Sequence, residues 1–240
     1  MKDGTKSQRQ SLFVKLGVLA GFIVECLAKI FNESQIDYWL AHRNELKKKL
    51  NTVFSIVDEH VAVREEWQKF YKEKFNWDVD FSNVIVPQMP VDGKWRLLFI
   101  AKGMTCNLVY STWTFKKWKA YDDIDASVVT NIRKSTEHYA IWVQDSIEPD
   151  TEFLGQSTKQ ADSDMIIGVT LLERMIHETK YFSETGEHLD VNGLTFCSGS
   201  RSSDVGVPGV FLYNDGRVYV DWFPVGNSSS SYGIRRAVAL

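Results

Sequence analysis

The chain has 240 residues, 44% of them hydrophobic and 25% charged, with a formal charge of −3 at neutral pH. That balance belongs to a folded globular protein and excludes a disordered or fibrous one. It also excludes the global positive field that drives non-specific nucleic-acid binding, because the excess of lysine and arginine is confined to residues 1–75. Cys26, Cys106 and Cys197 lie far apart and form no Cys-x-x-Cys pair, so neither a disulfide framework nor a cysteine-rich zinc site is expected. A reducing, cytoplasmic setting follows.

In chain order, residues 11–31 read as a helix that is apolar on nearly all sides. Residues 12–31 superficially copy a signal or anchor after Lys2, Lys6 and Arg9. Lys15, Glu25 and Lys29 interrupt the run, and its longest uncharged stretch, Leu16 to Val24, is too short to cross a bilayer as a helix. A buried or partner-facing helix is the first reading, an interfacial anchor the second. Asn32 with Gln35 supplies a capping box for the next helix, whose polar face carries Arg43, Lys47, Lys48 and Lys49. A third helical pattern covers residues 59–74, with Trp67, Phe70 and Tyr71 turned inward.

Beyond it the texture changes to short apolar runs bounded by Pro, Asp and Gly. Residues 83–87, 95–101 and 138–144 read as strands. Thr105 offers an N-cap to a helix reaching about residue 118, and a short helix is expected within 121–133. Residues 165–182 form the strongest helical pattern, closed by Gly186. Glu173, His177, Lys180 and Glu184 mark one polar side of it, expected as a surface ion-pair stripe. The end is strand and turn: residues 194–198 and 209–213, a hairpin loop at Asn214-Asp215-Gly216, then 217–223, with 234–240 as an edge strand. The expected class is α+β, a mainly antiparallel sheet packed with helices, with residues 1–58 an N-terminal helical region and 59–240 the α+β domain.

Several strings are distinctive. They include Tyr139-Ala140-Ile141-Trp142-Val143-Gln144-Asp145, Gly168-Val169-Thr170-Leu171-Leu172-Glu173-Arg174, Leu194 through Arg201 with Ser203-Asp204, and Tyr219-Val220-Asp221-Trp222-Phe223. Together, over residues 63–240, they resemble a family of uncharacterised bacterial proteins common in candidate-phylum bacteria. The resemblance implies a bacterial cytoplasmic protein and carries over no catalytic or binding residue.

Chemistry is densest at Cys197-Ser198-Gly199-Ser200-Arg201. A cysteine nucleophile needs a nearby base or positive field, and His177, Arg201 and Asp204 are the residues to supply and orient it. The same loop reads as an anion site, with Ser198, Gly199 and Ser200 offering backbone N–H groups and Arg201 a guanidinium fork. Ahead of both stand the plainer readings, a buried and inert Cys197 and an ordinary turn with Arg201 on a structural carboxylate. Acidic groups at Asp122, Asp123 and Asp125, and at Asp145, Glu148 and Asp150, lack calcium-loop spacing, and His-Glu-x-x-His is absent. No cofactor or metal is expected. Lysines and tryptophans interleave at Trp113 and Lys116-Lys117-Trp118-Lys119, a pattern that serves base stacking or a solvated face.

The expectation that follows is a binding or interaction module, contacting a protein or nucleic acid through the basic face at Arg43, Lys47, Lys48 and Lys49. The alternative is a small enzyme working through Cys197 with His177, or holding an anionic substrate on Arg201.

Overall fold

The computed structural model describes residues 60–203 and 206–240 continuously, and before them residues 31–46 and positions 14, 17, 18, 20, 21, 24, 25, 29 and 49. The chain divides into two compact units, Met1–Glu59 and His60–Leu240.

In the first unit, helix α1 (Glu33–Ala41) begins where its local chemistry dictates. The Asn32 side chain accepts from the Gln35 N–H while the Gln35 side chain accepts from the Asn32 N–H, which satisfies two of the donors a helix start leaves open. No residue of α1 is buried. Most of residues 12–31 lies outside the described residues. Among those described, no helix is long and apolar enough to cross a membrane.

The second unit is α+β. In chain order it contains α2 (Val61–Phe75), β1 (Trp95–Ile100), α3 (Cys106–Thr112), β2 (Lys117–Lys119), α4 (Ile124–Ser127), β3 (Thr130–Asn131), β4 (Tyr139–Gln144), a 3₁₀ turn (Thr151–Phe153) and α5 (Thr158–Ser163). It continues with α6 (Leu171–Thr185), β5 (Leu194–Phe196), β6 (Ser200–Arg201), β7 (Val207–Leu212), β8 (Val218–Phe223), β9 (Tyr232–Ile234) and β10 (Ala237–Val238).

Among the described residues three sheets result: β1-β4-β10, β2-β8-β7-β5-β9 and the small β3-β6 pair. Pairing is antiparallel except at β2–β8 and β5–β9, which are parallel. Helix α6 lies against β1 of the first sheet, β7 of the second, and α3. It is therefore buried on several sides at once, with Leu171, Met175 and Ile176 inaccessible to solvent.

The open edge of β1 is covered by α2, and the covering is chemical as well as steric. Trp67 Nε1 donates to the Leu97 carbonyl at 3.2 Å and the Tyr71 hydroxyl to the Phe99 carbonyl at 2.9 Å. The Ala101 N–H in turn donates to the Tyr71 hydroxyl at 3.1 Å. An uncovered edge is a template for unwanted pairing, and here aromatic side chains occupy it. Burial pushes the Tyr71 phenol well up, as a hydroxyl held between two backbone groups in the core requires.

The segment 83–87 is not a strand. Its carbonyls turn to side chains instead: Arg64 Nη2 reaches the Val84 carbonyl at 2.8 Å and Trp142 Nε1 the Pro87 carbonyl at 2.8 Å. Helix α6 starts at Leu171 rather than near residue 164, because Met165 takes the left-handed conformation (φ 57°) and the capping box of Thr170 with Glu173 sets the true start. Gly186 ends it with φ 73°, where a side chain would be strained.

The C-terminal segment binds the layers together. β9 pairs with β5 in one sheet and β10 with β4 in the other. Between them Arg235 is fully buried, giving Nη1 to the Ser146 carbonyl (2.9 Å) and Nη2 to the Ile147 carbonyl (3.1 Å), the Glu148 carbonyl (3.0 Å) and Asp190 Oδ1 (3.1 Å).

Candidate functional site

The Cys197 loop is built as a packed joint. Cys197 has 0% exposure, and burial drives its thiol far up, against the thiolate a nucleophile needs. The Ser198 N–H donates to the Phe196 carbonyl, Gly199 N–H to the Val169 carbonyl and Ser200 N–H to the Cys197 carbonyl. The backbone donors proposed for an anion are thus already spent. Ser200 Oγ accepts from the Leu171 N–H at 2.9 Å, capping the first turn of α6, and Ser198 Oγ is buried without a partner. Gly199 is required where it stands, since a Cβ there would come within 3.0 Å of the carbonyls of Gly168 and Val169.

Arg201 is spent too. Its Nη2 forks onto both oxygens of Asp162 (2.8 and 2.7 Å) and its Nη1 holds the carbonyls of Ser198 and Ser200. Asp204 lies outside the described residues. His177 is buried, its Nδ1 has no hydrogen-bond partner, and its imidazole is pushed well below its ordinary value by burial and by the charges of Arg235, Arg174 and Arg96. Among the described residues Cys197 makes no hydrogen bond to it; its thiol reaches only the Thr195 carbonyl. The thiol-nucleophile and Arg201 anion readings are therefore corrected: burial removes the first, and internal hydrogen bonds already engage the backbone donors and both terminal guanidinium nitrogens of the second.

The polar side of α6 is likewise not a surface stripe. Glu173, His177 and Lys180 are buried, and each charge ties in a neighbouring element. The Glu173 carboxylate accepts Arg133 Nε and Nη2 (both 2.7 Å), the Tyr139 hydroxyl (2.9 Å) and its own cap N–H from Thr170 (2.7 Å). Lys180 pairs with Glu66 of α2 and with Glu184, and lies over the rings of Trp67 and Phe70. Arg174 bridges Glu178 and Asp190 with all three side chains fully buried. His188 Nδ1 meets Glu178 Oε1 at 2.7 Å. Among the described residues no His, Cys, Asp and Glu cluster can hold a metal ion.

Of the basic face, Arg43 and Lys49 are exposed, while Lys47 and Lys48 lie outside the described residues. The second interleaved stretch is divided by strand alternation. Lys117 turns inward onto the carbonyls of Tyr110 and Trp113, capping the end of α3, and Lys119 onto that of Asp122. Trp118 points to the other face, and Trp113 is buried on Thr179.

What the sequence left unmarked is a cavity of about 430 Å³ lined by residues 83–85, 133–134, 137–140 and 239–240. Its polar wall is Arg133, Lys134, His138 and Tyr139. Burial works against the Arg133 charge, and the Glu173 carboxylate more than offsets it. Its Nε and Nη2 are engaged by Glu173 and the Gly168 carbonyl, and Nη1 makes no hydrogen bond among the described residues. His138 Nδ1 accepts the Lys102 N–H at 3.0 Å, so in the neutral ring the proton sits on Nε2. Glu137, the one acid of the lining, pairs with Lys102 at 3.0 Å. Lys134 is exposed and pairs with no acid among the described residues. A cavity of this size with a few convergent polar groups is what a small-molecule site looks like. The only advance signal was a basic loop, Arg133-Lys134, just before a strand.

No family model matches the chain, and no curated protein and no solved structure matches it either.

Proposed function

We propose that the chain is a binding module of the bacterial cytoplasm, and that its ligand is a small anion received in the cavity beside β4. The observation that carries the reading is a concave site whose lysine, one guanidinium nitrogen and imidazole Nε2 have no hydrogen-bond or ion-pair partner among the described residues. Donors held by prior hydrogen bonds lose little freedom when a ligand arrives. The test is calorimetric titration with small carboxylates and inorganic phosphate. A binder of the native protein raises its melting temperature by mass action. Lys134→Glu is expected to weaken the binding anion at least tenfold with little change in melting temperature of the free protein, since the exposed Lys134 side chain makes no hydrogen bond or ion pair among the described residues. Equal binding by wild type and variant would reject the site.

A second reading concerns the first unit. Helix α1 exposes Ile36, Tyr38 and Leu40 alongside Arg43 and Lys49, a mixed apolar and basic surface of the kind a protein or nucleic acid covers. Arg43→Glu with Lys49→Glu is expected to reduce binding of single-stranded oligonucleotides and its salt dependence. Unchanged affinity in an electrophoretic or anisotropy titration would remove nucleic acid as the partner.

A further inference from the structure

We infer that the ligand of the cavity is an amphipathic monoanion, a carboxylate carrying a short alkyl or aryl body. This rests on the reading of the cavity as an anion site and deepens it. The charge balance of the wall sets the anion's charge. Among the described side chains, Arg133 is compensated by Glu173 and Glu137 by Lys102, which leaves Lys134 as the cationic side chain of the lining that pairs with no acid. A dianion would bring a second negative charge that no further unpaired cationic side chain of the lining meets among the described residues. A carboxylate brings one charge and two acceptor oxygens to three donors: Lys134 Nζ, His138 Nε2–H and Arg133 Nη1.

The opposite wall sets the body. It consists of Val84, Ile85, Ala140, Ala239 and Leu240. Val84 and Ala140 are buried in the protein core, but Ile85 is 72% exposed and Leu240 84% exposed. Apolar surface is thus presented at a cavity that an inorganic anion of a few heavy atoms would leave mostly filled with water. A ligand with methylene groups removes that surface from water, and each buried methylene tightens binding by about twofold to fourfold. Polar and apolar walls on one concave surface select a molecule polar at one end and apolar at the other.

The experiment is calorimetric titration of the full chain with sodium acetate, butanoate, hexanoate and octanoate, with hexanol, hexylamine and inorganic phosphate as comparisons. Affinity is expected to rise at every step of the carboxylate series, by at least tenfold from acetate to octanoate, and hexanoate is expected to exceed hexanol and hexylamine. Lys134→Glu should weaken hexanoate at least tenfold. Ile85→Asn should flatten the chain-length dependence without adding charge, and both positions are exposed, so folding is preserved. Affinity independent of chain length, or hexanol binding as well as hexanoate, overturns the inference. Binding of phosphate in preference to every carboxylate overturns it while leaving the anion cavity standing. No anion binding at all removes both.

Discussion

Replacing Arg174 by methionine is expected to destabilise the protein by about 3–5 kcal/mol, the usual cost of removing one partner from a buried ion pair. The guanidinium gives Nε and Nη2 to Asp190 Oδ2 (3.0 and 2.8 Å) and Nη1 to Glu178 Oε2 (2.9 Å), and no atom of the three side chains reaches solvent. Methionine fills much of the volume, so the loss is electrostatic rather than steric. Asp190 keeps Arg235, and Glu178 keeps His188 and the Leu189 N–H, which is why the network weakens instead of collapsing. Since domains of this kind are stable by about 5–15 kcal/mol in all, the variant sits near the threshold of folding. Adding Glu178→Gln to it should restore about 1–2 kcal/mol by removing a carboxylate left short of positive charge. Urea denaturation with an unchanged slope and a lowered midpoint is the expected record. A cost below about 1 kcal/mol would mean that water or a side-chain rearrangement already solvates the pair.

The second large effect is a cancellation that appears only when one side is removed. The buried His177 imidazole stays neutral well below its ordinary value of 6.5, through burial first and then Arg235, Arg174 and Arg96. As pH falls below 6.5 the unfolded chain therefore takes up a proton that the native state refuses, and stability drops by about 1.4 kcal/mol per pH unit. The Asp150 carboxyl runs the opposite way. Burial pushes it up to about 6 from an ordinary 3.8, although the Arg236 N–H and the Arg235 charge hold it down in part. Between pH 6 and 4 the native state therefore takes up a proton that the unfolded chain does not, and stability rises by about the same slope.

The two contributions oppose each other across that window, so the wild type should show little change from them. Asp150→Asn should uncover the histidine loss, falling by about 3 kcal/mol from pH 6 to 4. His177→Gln should do the reverse and gain stability on acidification. Asp80, Asp123 and Glu184 are held below the usual carboxylate range, and their contributions are lost only toward lower pH. Parallel pH profiles for wild type and Asp150→Asn would contradict the assignment.

What the sequence made legible was local. The capping box at Asn32, the Thr105 cap, the Gly186 stop and the turn at 214–216 are written in neighbouring residues, and the α+β class follows from alternating textures, whereas the Thr170 capping box went unread and its helix was expected from residue 165. Strand pairing was less legible. β7–β8 is a hairpin, but β2–β8 and β5–β9 are parallel and join segments far apart in the chain. The largest misreading was α6. Polar residues at i, i+4 and i+7 look like a wet face, and only partners such as Glu66, 114 positions from Lys180, reveal that they are dry. The cavity escaped for the same reason, because its walls come from three separate regions and none of them carries a motif.

The C-terminal segment bears on how the protein is made. Strand β10 completes a sheet begun by β1, and Arg235 fills a nest of carbonyls up to 91 positions earlier. While the chain is still emerging from the ribosome, β4 has only one of its two neighbours, and the carboxylate of Asp190 lacks one of its two arginines. The nascent protein therefore holds its layers together loosely until residues 235–238 are free to dock. Contacts this distant close slowly, which leaves an interval in which an unpaired strand edge is open to chaperones or to a neighbouring copy.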